Sequence, residues 1–226
     1  MKEHPILFSA PMVQAILGGR KTMTRRIMKK QPPDESFLLA RMIESTSNAD
    51  RKHEGKLHWI RLNDNKTLIE EDKKEFFNYP YGQVGDRLWV RETHAYRDFD
   101  SWICDDKNSV IYKADYEDPA VCARKFKPSI HMPRWASRIT LEITKVRIER
   151  LQNITDSDAV REGIERVGGE FSCSPWRNYR IGERGEMNMH CSAPTRSFMT
   201  LWESIHGVDS WSKNPYVWVI EFRRVL

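Results

Sequence analysis

The chain has 226 residues, 39% hydrophobic and 31% charged, enough for one large domain with a real core. Its net charge of +5 suits nucleic acid or a phosphorylated small molecule without demanding either. No run of 18 apolar residues exists, and Met1-Lys2-Glu3-His4-Pro5 opens without an apolar signal region, so a cytoplasmic protein with no membrane partner is expected.

In chain order, Ile6-Leu7-Phe8 is a short apolar start. Ser9 then stands as a helix N-cap with Pro11 near the first turn, and Met12, Val13, Ile16 and Leu17 share one helical face. Gly18-Gly19 ends that helix. Gln31-Pro32-Pro33-Asp34 breaks the chain, and the polar stretch to Tyr79-Pro80 reads as an insertion with one alternating strand at 56–62. A turn at Tyr81-Gly82 leads into the strand Arg87-Leu88-Trp89-Val90-Arg91. Residues 98–108 read as a polar loop, 110–112 as a short strand and 118–134 as loop-rich. Residues 138–150 alternate as a strand with one slip at Lys145 that marks a bulge. Thr155-Asp156-Ser157-Asp158 opens a second helix, expected to run to Gly168-Gly169. After an aromatic-dotted insertion, Thr195 or Ser197 caps a third helix with Phe198, Leu201, Trp202 and Ile205 as its buried stripe and Gly207 as its stop. A nearly all-apolar strand, 216–222, closes the chain. Short strands with a few helices imply an α+β fold built on a small mixed barrel: one domain, 1–226, with insertions near 30–80, 97–137 and 169–196.

The chemistry concentrates in Gly18-Gly19-Arg20-Lys21-Thr22-Met23-Thr24-Arg25-Arg26. Arg20, Arg25 and Arg26 crowd Lys21 with like charge, which favours a neutral amine, and Thr24 places a hydroxyl three residues on. In an ideal strand Lys21 and Thr24 face opposite ways, so pairing them needs a turn near Lys21, which the glycines permit. Local sequence alone favours a plainer reading, a solvated basic strand end.

That stretch resembles the G-x-K-x-x-T-x-R signature of the ASCH superfamily, relatives of the PUA-like RNA-binding barrels. Gly85-Asp86-x-Leu88-x-Val90 and Val217-Trp218-Val219-Ile220-Glu221-Phe222 agree in order. The layout, including His131-Met132-Pro133-Arg134-Trp135, is similar to ASCH-domain proteins of phages and prophages. The chain resembles locally the bacterial amidohydrolases of N4-acetylcytidine, which use a lysine as proton acceptor, a threonine as nucleophile and a glutamate as proton donor. The resemblance implies those roles for Lys21, Thr24 and, through Leu151-x-x-Ile154-Thr155-x-x-x-Ala159-x-x-Glu162, for Glu162. It implies a PUA-like barrel and a substrate that is a modified nucleoside or nucleic acid, RNA ahead of DNA.

On that reading Arg20, Arg25 or N–H groups beside Gly19 hold the oxyanion, and Gly19, Arg20, Arg25, Arg26, Glu92 and Trp135 meet the substrate. Periodicity alone places Glu162 near the border with solvent, and Glu92 is a rival carboxylate whose plainer role is a partner for Arg87 or Arg91. Trp135 is a stacking candidate, with Trp89, Trp202, Trp211 and Trp218, although core packing is the better default for Trp202 and Trp218. No cofactor or metal is expected. His53 and His58 are five apart and leave a common helical face, Cys173, His190 and Cys191 meet only by tertiary accident, and Cys104 and Cys122 complete a set of reduced thiols without a CxxC pair. A non-catalytic PUA-like binding module and a ribonuclease are the alternatives. Oligomeric state is not legible.

Overall fold

The computed structural model describes residues 1–32, 37–41, 57–62, 68–69, 78–96, 110–116, 125–168, 173, 175–180 and 190–225. The elements are β1 (Glu3–Leu7), α1 (Ala10–Leu17), β2 (Met23–Ile27), β3 (Phe37–Arg41), β4 (Leu57–Leu62), β5 (Leu68–Ile69), β6 (Arg87–Arg91), β7 (His94–Tyr96), β8 (Val110–Tyr112), β9 (Thr140–Arg150), α2 (Asp156–Arg161), α3 (Pro194–His206) and β10 (Tyr216–Val225). They form an α+β protein.

The chain divides into two compact units, Met1–Ile27 with Tyr81–Leu226, and Met28–Pro80. The second covers the insertion expected near 30–80 and holds an antiparallel sheet in the order β3-β4-β5, with β4 on the expected strand. His53, Cys104, Cys122 and half of the expected 169–196 insertion lie outside the described residues.

The first unit is organised on a five-stranded sheet, β1-β6-β9-β10-β2, in which β1 runs parallel to β6 and the other pairs are antiparallel. Among the described residues the sheet does not close into the expected barrel, because β1 and β2 are its two edges. Side chains link those edges instead: Arg26 Nη2 donates to the carbonyl of Leu7, and the guanidinium lies 5.2 Å from the Phe8 ring centre.

The apolar run of β10 follows from its place inside the sheet with both faces covered. Val217 and Val219 pack with Met23, Leu151, Ile154, Ala159, Ile164, Phe198 and Trp202 under α2 and α3. Trp218, Ile220 and Phe222, also buried, take the opposite face, where Phe222 meets Phe8. Trp202 and Trp218 are therefore core residues. The slip expected at Lys145 is real. Glu221 pairs with Lys145 and Phe222 with Ile143, so Thr144 is the extra residue of a bulge.

Two helices differ from expectation. α3 begins at Pro194 after Ala193 rather than at Thr195 or Ser197, and keeps Gly207 as its stop at φ 92°. α2 has the expected cap, with Thr155 Oγ1 accepting from Asp158 N at 3.1 Å, but it ends at Arg161, well short of Gly168-Gly169. Gly163, at φ 89°, turns the chain there. A side chain at this point would also collide, since a Cβ would lie 2.9 Å from Lys21 Cβ and 3.0 Å from Ala15 Cβ. Among the described residues no helix is long and apolar enough to cross a membrane.

Candidate active site

Lys21 is fixed by its backbone before its side chain is considered. Gly18 and Gly19, the latter at φ 73°, let the chain leave α1 and fold back, so that Lys21 N donates to Ala15 O at 2.9 Å. Thr22 N then donates to Arg161 O, and Thr22 O accepts from Phe222 N, both at 2.9 Å. The stretch between α1 and β2 is thus stitched to α1, α2 and β10 in three successive steps. The turn that pairing Lys21 with Thr24 requires is present.

The early end of α2 completes the site. Glu162 keeps helical backbone as the cap of α2, its N–H donating to Asp158 O at 2.9 Å, and is buried at 5% exposure together with Ala159, while Val160 of the expected apolar stripe is 40% exposed. Lys21 Nζ donates to Glu162 Oε2 and to the Glu162 carbonyl, each at 2.8 Å. Arg25 Nη1 meets the other carboxylate oxygen, Oε1, at 3.2 Å. Lys21, Thr24 and Arg25 are 3–4% exposed, so the expected solvated strand end is in fact interior. Neutralising carboxylates arrive from residues more than 120 positions along the chain, which local reading does not register.

Arg25, expected on the substrate, has both Nη atoms engaged. Nη2 donates to Glu149 Oε1 at 2.6 Å and to Asp158 Oδ2 at 2.8 Å, and Nη1 holds Glu162. Arg147 joins the same carboxylates, at 3.2 Å to Glu149 and 2.5 Å to Asp158, and also binds Glu221, which Arg161 meets at 2.7 Å. Four cations, Lys21, Arg25, Arg147 and Arg161, thereby face four carboxylates, Glu149, Asp158, Glu162 and Glu221.

Burial is the main force lowering the Lys21 pKa from its ordinary value; Glu162 opposes it, and Arg26 and Arg25 add smaller downward pushes. The direction matches the expectation from sequence, but the leading cause is desolvation rather than the arginine crowd.

Lys21, Thr24, Arg25, Arg26 and Glu162 line one cleft, walled on its other side by Met12 and by Phe198, Leu201, Trp202, Ile205 and His206 of α3. Its cavity measures about 40 Å³, well below the roughly 300–1,000 Å³ usual for ligand pockets. Ile205, expected in the core, is 52% exposed and belongs to this wall. His206 lies 4.2 Å from Trp202 between ring centres, and burial followed by the Arg26 charge lowers its pKa, which favours the neutral imidazole.

No family model, curated protein or solved structure matches the chain. Function therefore rests on the side chains themselves.

The remaining expected site residues fall elsewhere. Gly19 is exposed and gives its N–H to Ile16 O at 3.1 Å, and Gly18, Lys21 and Thr22 spend theirs on carbonyls, so these N–H groups are not offered to an oxyanion. Arg20 is exposed. Glu92 is buried but receives both nitrogens of an Arg138 fork, at 2.9 and 3.0 Å, rather than Arg87 or Arg91, and does not line the cleft. Trp135 is 61% exposed and stacks on Tyr96 at 5.7 Å, also away from the cleft residues. Among the described residues no group of three His, Cys, Asp or Glu side chains is arranged to hold a metal ion. Cys173 is exposed and Cys191 buried, both free.

Sequence reading missed Glu149, Asp158, Arg147 and the α3 wall. The signal lies in strand register. Arg25 and Arg147 both pair with Val219 from opposite sides, and Glu149 pairs with Val217 in the neighbouring row, so one face of the sheet carries these ions.

Proposed function

We propose that the protein is an amidohydrolase that removes an acyl group from the exocyclic amine of a modified cytidine, of the N4-acetylcytidine kind, within an ASCH-type, PUA-like architecture. The observation that carries this reading is the meeting of Lys21, Thr24 and Glu162 on one small cleft. The neutral balance of the ions adds to it. With the charges of Lys21 and Arg25 already answered by carboxylates, Arg26 alone among the described cleft cations is left to hold a phosphate, which tells against the phosphate-gripping module and the ribonuclease.

The 2.8 Å Lys21–Glu162 pair supplies base and acid together. Moving one proton from Nζ to Oε2 gives a neutral amine and a carboxylic acid, the form from which the reaction starts. Lys21 then takes the Thr24 proton, and Thr24 Oγ1 attacks the acyl carbon. Glu162 protonates the departing amine, leaving an acyl-Thr24 ester beside the ammonium and carboxylate. Glu162 next takes a proton from water as it attacks the ester, and Lys21 returns a proton to Thr24 Oγ1. The couple ends as it began. Arg26, which lines the cleft with an Nε–H that has no partner among the described residues, is the donor for the oxyanion. Phe198, Trp202 and His206 give the base an aromatic wall.

The substrate is proposed as the free nucleoside or as the same base in RNA. The exposed Trp135–Tyr96 stack, with Lys127 Nζ 4.7 Å from the Tyr96 ring centre, suits a further base of a single strand. Wild-type protein is expected to release acetate from N4-acetylcytidine and Thr24→Ala to lose at least about a thousandfold of that rate while keeping its melting temperature. A parallel assay on RNA carrying the acetylated base separates nucleoside from polymer. Absence of release from both substrates by the wild type overturns the reading.

A further inference from the structure

The reading above needs Lys21 and Glu162, but the structure surrounds Glu162 with more than a catalytic pair requires. One oxygen, Oε2, faces Lys21, and the other, Oε1, faces Arg25. A guanidinium at 3.2 Å places a full positive charge beside the couple. Arg25 is not alone. Glu149 and Asp158 both close on its second nitrogen, at 2.6 and 2.8 Å, and the Arg25 side chain has no solvent exposure.

We propose that Glu149 and Asp158 are positioning residues for the Lys21–Glu162 couple: by gripping Arg25 they fix which oxygen of Glu162 Lys21 receives and offset the positive charge beside it. The proposal rests on the hydrolase reading for its consequence in catalysis, while its electrostatic content can be measured on the free protein. A fork that holds three carboxylates is geometrically determined in a way a single surface pair is not. The two carboxylates also come from different elements, β9 and the first turn of α2, so the grip ties the helix that Glu162 caps to the sheet.

The groups facing the couple are Arg25 and Arg26 from β2, Arg147 and Glu149 from β9, Asp158 and Arg161 from α2, Glu221 from β10 and His206 from α3. The sign follows directly. Removing the negative charge of Glu149 or Asp158 leaves Arg25 less neutralised, so the site becomes more positive and both Lys21 and Glu162 bind their protons more weakly. Because the two titrate as a coupled pair, both limbs of a bell-shaped pH–rate profile move to lower pH together. For a unit charge at this remove and an effective dielectric of about 20, the expected shift is on the order of one pH unit.

The test uses Glu149→Gln and Asp158→Asn, which preserve shape and an acceptor oxygen for Arg25. The pH–rate profile of acetate release is recorded for wild type and both variants. The side-chain resonances of Lys21 are titrated by NMR without substrate, and melting curves certify the fold. Downward movement of both limbs, matched by a downward Lys21 titration, is the expected result in each variant. Limbs and titration that stay in place, or move up, in folded variants overturn the proposal, since a carboxylate that only stabilises the fold changes melting without moving either. Should no hydrolysis occur at any pH, the hydrolase reading fails, and the NMR titration still decides whether these carboxylates govern the couple.

Discussion

Gly163→Ala is expected to lower stability by about 3 kcal/mol and to abolish turnover. Two costs add at this one position. Holding alanine at φ 89° costs about 1–2 kcal/mol, because its Cβ crowds the following carbonyl. The same Cβ would stand 2.9 Å from Lys21 Cβ and 3.0 Å from Ala15 Cβ, contacts relieved only by moving the lysine stem or α1, for roughly another 1–3 kcal/mol. At about 2–4 °C per kcal/mol for a chain of this size, calorimetry should show a loss of roughly 10 °C. The lysine displaced is the proposed base, so activity falls with stability. An unchanged melting temperature would show that the turn has slack and that Lys21 is not held by it.

Glu162→Ala carries a larger cost with a pH signature. It leaves Lys21, its side chain 1% exposed, without its carboxylate, and breaking a buried pair from one side costs about 3–5 kcal/mol. Lys21 already has a folded-state pKa below its unfolded value near 10.4, from burial above all, and loss of Glu162 removes the group that opposed this. Between the two pKa values the unfolded chain binds the extra proton, so stability rises with pH across that window. The deficit of the variant is therefore greatest below the folded pKa of Lys21 and shrinks as pH climbs toward 10. Denaturant titrations at several pH values check this. Lys21→Met combined with Glu162→Met should recover most of the loss, because the penalty belongs to the stranded charge. A deficit independent of pH, or a double variant as unstable as the single, would contradict the ion-pair account.

How much of this was legible beforehand can be traced residue by residue. The α+β class, α1 with its Gly18-Gly19 exit, the strand at β6, the Thr-capped start of α2 and the bulge beside Lys145 follow from periodicity and turn chemistry, which are local. The pattern of Ala159, Val160, Gly163, Ile164 and Val167 puts Glu162 at the solvent border, yet Val160 and Val167 are 40% and 47% exposed and Glu162 is buried. Lys21 and Arg25, which hold its carboxylate, lie more than 130 residues earlier, and local pattern holds no record of them. Sequence leaves Arg25 free to meet a substrate because its three carboxylates are distant along the chain. Gly19 was read as a donor because its cap bond to Ile16 uses an N–H that sequence leaves uncommitted. Barrel closure was expected from strand content, whereas side chains of Arg26 and Phe8 span β2 and β1 where no ladder forms.

The account turns on the Thr24 hydroxyl forming a bond to carbon. Mixing the wild-type protein with N4-acetylcytidine, quenching in acid within a turnover and weighing the peptides should reveal one acetyl group on the peptide carrying Thr24, and none in Thr24→Ala. Turnover by Thr24→Ala at the wild-type rate, or an acetyl group found on another side chain, would contradict it.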